Sequence, residues 1–268
     1  MLPLANMLWR IGEILDFDEQ LAWTRDAGFD GVGFHASAGV PGQWRGIDPS
    51  ACTAGERKRL RREIAAFAFA EVHAPFSIVL TGETLTDDIA ALGPILEFAG
   101  DLGVGVVTVH ARLSSADFSS DAWRHTLEQI NAKALRTQTR VGLEITDGFD
   151  AVSDWGLSNV GITLDVGHMY LGEGLVYLSS VGGIGQLVQQ IGDALFHLHL
   201  HDVDGEVDHI EIGTGMVPFD EIVASLRAID YRSGATLEMN PDRVSPEGIL
   251  RSASFVRKGV DAGGMGPG

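Results

Sequence analysis

Residues 141–168 read VGLEITDGFDAVSDWGLSNVGITLDVGH. Two short apolar runs, Val141 to Ile145 and Val160 to Val166, enclose a polar segment from Asp150 to Leu157 long enough for about two turns of helix. Runs this brief, apolar on both faces, are typical of strands covered on both sides, as in parallel sheets. Parallel neighbours cannot be joined by a tight turn and need a crossover. The stretch is therefore expected to be one β-α-β unit, and both of its strands end on a carboxylate, Glu144 and Asp165.

Working outward, the same alternation continues. Further strands are expected at Leu4 to Trp9, Gly31 to His35, Glu71 to Pro75, Val104 to His110, Leu195 to His201 and Ala235 to Met239, which makes eight with the first two. Helices are expected at Asp18 to Ala27, Thr53 to Ala70, Asp87 to Asp101, Ser119 to Thr137, Gly183 to Ile191, Phe219 to Ile229 and Pro246 to Lys258. Thr53 with Glu56 has the spacing of a capping box, and Pro246 follows Ser245 as a first-turn proline does. Gly28 and Gly103 stand where left-handed C-cap residues would. Eight such units without a linker imply an α/β fold, a single (β/α)8 barrel over residues 1–268 with a short flexible tail from about 260. An open doubly wound sheet is the alternative, but no strand-to-helix turn carries a glycine-rich phosphate loop.

The chain has 268 residues with 19 Lys plus Arg against 37 Asp plus Glu, a formal net charge of −18. Phosphate polymers and anionic membranes are repelled by such a balance, so nucleic acid is an unfavourable partner and a small molecule the better one. The one cysteine, Cys52, excludes an internal disulfide, and no run approaches the length of a membrane span. The N-terminal residues lack a signal-peptide pattern, and a soluble, cytoplasmic protein is expected.

Barrel enzymes carry their chemistry where the C-terminal ends of the strands converge. Here those ends hold His35, His73, His110, Glu144, Asp165 with His168, His199 and His201 with His209 beyond, and Glu238. Burying such groups unpaired costs several kcal/mol, so their repetition at one rim is informative, although any single histidine could simply bond a loop carbonyl. Glu144, Asp165, His199 and Glu238 form a mixed oxygen and nitrogen set suited to one divalent ion, Mn²⁺, Mg²⁺, Co²⁺ or Zn²⁺. Glu144 and Glu238 sit in matching strings, LEIT and LEMN, where they could serve as a paired acid and base on either side of a substrate carbon, or only as ligands. Trp9, Phe34, Phe76 and Trp44 could wall a bound small molecule, with Trp44 on a lid loop beside Arg45, and Arg45 or Arg112 could recognise an anionic group.

These residues resemble the xylose isomerase-like barrel superfamily, which holds sugar isomerases and epimerases and the endonuclease IV type of abasic-site nuclease. The carriers are VHAP at 72–75, TVHA at 108–111, GLEI at 142–145, LDVGH at 164–168, HLHLHDVDG at 197–205, DHIEIGTG at 208–215 and LEMN at 237–240. The resemblance implies a metal held by Glu144, Asp165, His199 and Glu238, proton transfer by the two Glu, and substrate contact by His168. In nuclease members, residues matching His73, His110, His168 and His209 bind two more zinc ions. This chain departs from that pattern at Val207, where the nucleases have Asp, with Asp208 displaced by one. His73, His110, His201 and His209 are therefore expected to bond substrate hydroxyls or steady the ligands. The expected activity is metal-dependent isomerisation or epimerisation of a small sugar or keto-sugar. A lyase or dehydratase on the same residues, a zinc phosphodiesterase, or a barrel that binds a sugar without turning it over are the alternatives. Members often associate, and the Gly-rich stretch at 179–185 is a candidate face for a homo-oligomer.

Overall fold

The structure, a computed structural model, describes residues 2–81, 85–112 and 121–262. Eleven strands are described: β1 Leu4–Leu8, β2 Gly31–His35, β3 Phe69–His73, β4 Val79–Leu80, β5 Val106–Ala111, β6 Arg140–Glu144, β7 Val160–Asp165, β8 Leu195–Leu200, β9 Asp202–Asp204, β10 Val207–Ile210 and β11 Ala235–Leu237. The helices are α1 Phe17–Asp26, α2 Ala54–Ile64, α3 Leu85–Leu102, α4 Asp121–Thr137, α5 Phe149–Trp155, α6 Gly172–Val181, α7 Ile184–Ile191, α8 Phe219–Ala228 and α9 Pro246–Ala262. Eight parallel strands run in the order β3, β2, β1, β11, β8, β7, β6, β5, and β3 pairs with β5 to close the ring. The expected (β/α)8 barrel is what forms. All of the β1, β2, β7 and β8 residues are buried, as strands covered by helices outside and filled by side chains inside must be. No helix among the described residues is long and apolar enough to cross a membrane.

Local signals place most boundaries. Asp16 caps α1 by accepting from Asp18 and Glu19 backbone N–H groups, and the Thr53 and Glu56 capping box opens α2. Gly28 and Gly103 lie at φ 77° and 75°, as the sequence implied. Three expectations fail. Helix α2 stops at Ile64 rather than Ala70, because Ala-Phe-Ala-Phe-Ala at 66–70 alternates with strand period and Phe69 already belongs to β3. Strand β5 starts at Val106 rather than Val104, whose N–H turns back to Ala99 O at the end of α3. Helix α6 was not foreseen, since Gly172 and Gly174 in its first turn weaken the helical signal. The glycines at 182 and 183 then form the link from α6 to α7, with Gly182 at φ 91°. Helix α9 runs on to Ala262; the rest of the anticipated tail, 263–268, and the start of the expected helix at Ser119 lie outside the described residues.

Candidate active site

The polar side chains of the strand ends meet inside the mouth of the barrel. His199 on β8 is the hub: its Nδ1 lies 2.9 Å from Glu238 Oε2 and 3.4 Å from Glu144 Oε2. Glu144, Asp165 and His199 place donor atoms within 4.8 Å of one another, and so do His73, His199 and Glu238. His199 is thus common to two overlapping groups that together contain all four residues expected to share an ion. Glu144 is ringed by histidines. His73 Nε2 reaches its Oε2 at 3.3 Å, while His168 Nδ1 and His110 Nε2 approach Oε1 at 3.3 and 3.4 Å. Glu238 has a single ion-pair partner among the described residues, His199.

Asp165, at the end of β7, accepts the His168 backbone N–H at 2.8 Å and lies 2.9 Å from His201 Nε2 through Oδ1. His168 Nδ1 is 3.4 Å from its other oxygen, Oδ2. Asp165, His168, His201 and His209 form a further group with mutual distances within 4.8 Å. His201 and His209 stack, centroids 3.9 Å apart, and the His209 N–H donates to His201 Nδ1. His209 holds a positive φ of 51°, sparsely populated for a residue with a side chain. Val207 is exposed and brings no carboxylate, while Asp208 Oδ1 lies 2.7 Å from Arg243 Nη1 and 3.3 Å from His209 Nδ1 without being one of this group. The carboxylate that the nuclease pattern would supply is therefore absent from this group.

The loop that carries His209 is organised by Asp202, which was not singled out in the sequence. Its two buried oxygens accept four backbone N–H groups, those of Val203, Val217, Gly213 and Gly215. That is the physical content of the H-D-x-D-G and G-x-G motifs: one acceptor gathers a returning loop.

Charge and burial oppose each other throughout. Burial alone would raise Glu144, but hydrogen bonds from His110, His168, His199 and His73 hold its carboxyl well below the usual range. Glu238 is likewise held down to about 2, against burial, mainly by the charge of His199. His199 is driven well above its ordinary value by Glu71 and Glu238 despite its burial. Burial lowers His168 too, yet Asp165 and Glu144 push it to about 10. His35 shows the reverse: burial, then His73, put it well below 6.5 and keep the ring neutral.

Three buried atoms of this cluster, His199 Nδ1, Asp165 Oδ2 and His201 Nε2, have no aligned hydrogen-bond partner although charged neighbours crowd them. Orphaned buried polar atoms are rare in native proteins. One carboxylate oxygen and two imidazole nitrogens left without a hydrogen-bond partner, with the Glu144 and Glu238 carboxylates beside them, suit a cation. The residues present therefore fit a divalent ion.

Around the cluster, Trp9, His35, Trp44 and Phe76 make an aromatic rim, with His35 centroids 5.1 Å from Trp44 and 4.7 Å from both Phe76 and His73. Trp9 Nε1–H donates to His35 Nε2. Phe34 is not part of this wall: it is fully buried behind β2 against Phe17, 5.5 Å away edge to face. Alternate residues of a strand face opposite sides, so His35 inward puts Phe34 outward. Arg45 and Arg112 are exposed and their side chains join none of the cluster's contacts.

Beneath the cluster lies a group the strand-end reading passed over. Glu71, wholly buried on β3, lies 2.6 Å from His199 Nε2 and 2.9 Å from His197 Nε2. Its signal was the period of two: Glu71 precedes His73 as His197 precedes His199, so all four point inward.

Residues 21–259 match the family described as xylose isomerase-like TIM barrel. An uncharacterised protein of Methanocaldococcus jannaschii, MJ1311, is 29% identical over 215 residues, 67% of this chain and 68% of that protein. A D-psicose 3-epimerase of Enterocloster bolteae is 34% identical over 92 residues, 34% of this chain and 27% of that one. Among solved structures, D-psicose 3-epimerase from Clostridium cellulolyticum H10 superposes with a TM-score of 0.73 at 16% identity, covering 97% of this chain and 99% of that one. The 3-keto-D-glucoside 4-epimerase YcjR of E. coli gives 0.70 at 17%, covering 96% and 100%. At such identities the structural matches speak for the fold.

Proposed function

Since the chain belongs to the xylose isomerase-like TIM barrel family, we propose that it is a divalent-cation-dependent epimerase or isomerase of a small sugar or keto-sugar. The observation that carries this reading is the approach of Glu144 and Glu238 to one histidine nitrogen beside Asp165. The named similar enzymes act on related chemistry: in the 3-keto-glucoside 4-epimerase the inverted carbon adjoins a keto group.

Glu144, Asp165, His199 and Glu238 would hold the ion, which when bound supplies a Lewis acid that lowers the cost of negative charge on the sugar's carbonyl oxygen. Glu144 and Glu238 act as the acid and base. One takes the proton from the carbon next to the carbonyl, and the other returns a proton to the resulting enediolate. In the resting site the surrounding histidines favour the charged form of both, so the Glu that returns a proton first takes it up from solvent, and the Glu that removed one releases it there after turnover. His168, partly exposed and close to both Asp165 and Glu144, is placed to bond a substrate hydroxyl. Trp9, Trp44 and Phe76 exclude water from the enediolate, which would otherwise be reprotonated at random. A lyase or dehydratase would proceed through the same enediolate.

The test is deuterium uptake from D₂O into a bound ketose. Wild-type protein with Mn²⁺ is expected to wash deuterium into the carbon beside the carbonyl, and Glu144→Gln and Glu238→Gln to abolish the exchange. Retained exchange in both variants would count against the acid and base roles.

A second reading rests on the groups flanking the central one, His73 with His110 and Glu144, and Asp165 with His168, His201 and His209. They could hold further zinc ions, as a phosphodiesterase would need. The net charge of −18 and Val207 in place of a carboxylate weigh against it. One ion per chain by elemental analysis supports the epimerase, and two or three with cleavage of an abasic duplex supports the nuclease.

A further inference from the structure

The barrel interior carries a second polar layer just below the site, and its centre is Glu71. Around the ring of eight strands, β3 and β8 are separated by four steps in either direction, so they are diametrically opposite. Glu71 on β3 nevertheless bonds His199 and His197 on β8, which means that its side chain crosses the barrel axis. It receives four donors: Thr108 Oγ1 and His199 Nε2 on Oε1, at 2.5 and 2.6 Å, and Thr236 Oγ1 and His197 Nε2 on Oε2, at 2.5 and 2.9 Å. An ionised carboxylate only accepts, so each partner must turn a proton toward it. Thr163 extends the chain, its Oγ1 3.0 Å from that of Thr108. Neighbouring strands leave room for this layer. A Cβ at Gly33 would lie 3.3 Å from Glu71 Oε2 and 3.0 Å from Thr236 Cγ2, and one at Gly142 would lie 3.1 Å from Thr163 Cβ and nearer still to its hydroxyl.

We infer that Glu71 is a positioning residue, which fixes the His199 proton on Nε2 and leaves Nδ1 as the atom that faces Glu144 and Glu238. The inference rests on the reading of His199 as a cation ligand. In a neutral imidazole one nitrogen carries the proton and the other the lone pair, so a proton committed to Glu71 directs the lone pair into the site. Stability alone gives no reason for the arrangement. Replacing a buried charge network by well-packed apolar side chains is often neutral or stabilising. His197 and Thr236 hold the second carboxylate oxygen, so Glu71 cannot rotate away from His199.

The test uses the whole chain with Cd²⁺ and Mn²⁺ as probes. In wild-type protein with ¹⁵N-labelled histidine and ¹¹³Cd²⁺, scalar coupling is expected between cadmium and His199 Nδ1, with Nε2 protonated; coupling to Nε2 overturns the inference. Glu71→Ala, folded by circular dichroism, is expected to bind Mn²⁺ about 10–100-fold more weakly, and wild-type affinity in that variant overturns it. Should the variant not fold, the wild-type coupling decides. Should no cation bind wild type, the functional reading fails separately. The Nε2 proton of His199 in metal-free protein then decides: slow exchange in wild type that is lost in Glu71→Ala supports the role of Glu71, and equal exchange in both refutes it.

Discussion

Replacing Gly167 by alanine isolates the packing that holds the site. Gly167 lies at φ −70° and ψ −42°, a conformation open to any residue, so Gly167→Ala introduces no backbone strain. Reduced unfolded-chain entropy would by itself stabilise the variant by about 0.4–1 kcal/mol. The added Cβ, however, would lie 2.6 Å from His201 Nε2 and nearer still to Cε1 and Nδ1, where ordinary contact begins at 3.4 Å. His201 is completely buried, stacked on His209, and 2.9 Å from Asp165 Oδ1. A ring so enclosed cannot retreat without breaking one of those contacts. Overpacking of this kind costs about 1–3 kcal/mol, so the steric effect outweighs the entropic gain and a net loss of about 1–2 kcal/mol is expected. Because Asp165 loses the group that orients it, Mn²⁺ affinity should also fall about 10–100-fold. Urea unfolding of the metal-free protein and calorimetric titration with Mn²⁺ read the two effects. A variant at least as stable as wild type with unchanged affinity would refute the reasoning.

Asp202→Asn replaces an acceptor of four backbone N–H groups by a side chain with one acceptor oxygen, and should cost about 2–3 kcal/mol in urea unfolding; a loss under about half of that contradicts the loop-organising role. Tyr231→Phe removes a hydroxyl that donates to Gly234 O at 2.8 Å and bonds none of the four expected ion ligands, and should cost about 1 kcal/mol with Mn²⁺ affinity unchanged. In metal-free protein His199 is held protonated well above its ordinary value, so a cation must displace a proton from it. Mn²⁺ affinity should therefore rise with pH through the neutral range and binding should release protons, seen as a buffer-dependent heat; pH-independent affinity contradicts this. His168 gives the metal-free protein a matching stability profile. Its folded value of about 10 lies above the ordinary 6.5, so its contribution is complete below about 6.5 and is lost as pH climbs through about 10. Melting temperatures unchanged between those limits would count against it.

Fold and rim were legible in the chain for one reason: a parallel barrel strand is a short apolar run whose last inward residue reaches the mouth. Glu144, Asp165 and His199 stand out as polar residues ending such runs, and the structure brings them together. Glu238 lies one residue past β11, yet its N–H still bonds Leu200 O and keeps the strand's direction. What the run hides is depth. Glu71 and His197 stand two residues before His73 and His199, on the same inward face, but their partners come from the opposite side of the ring and no local spacing reveals a contact 126 residues away. Asp202 escaped for a similar reason, because its value lies in backbone N–H groups 11 to 15 residues on, which side-chain identities do not show. Helix ends misread where composition and period disagree, as at residues 66–70.

Diffraction from crystals grown with Mn²⁺, recorded at the manganese absorption edge, bears most directly on the shared-ion claim. One anomalous peak per chain is expected, within coordination distance of Glu144, Asp165, His199 Nδ1 and Glu238. A peak that excludes two of those side chains, or none at saturating Mn²⁺, would contradict it and with it the proposed proton transfer.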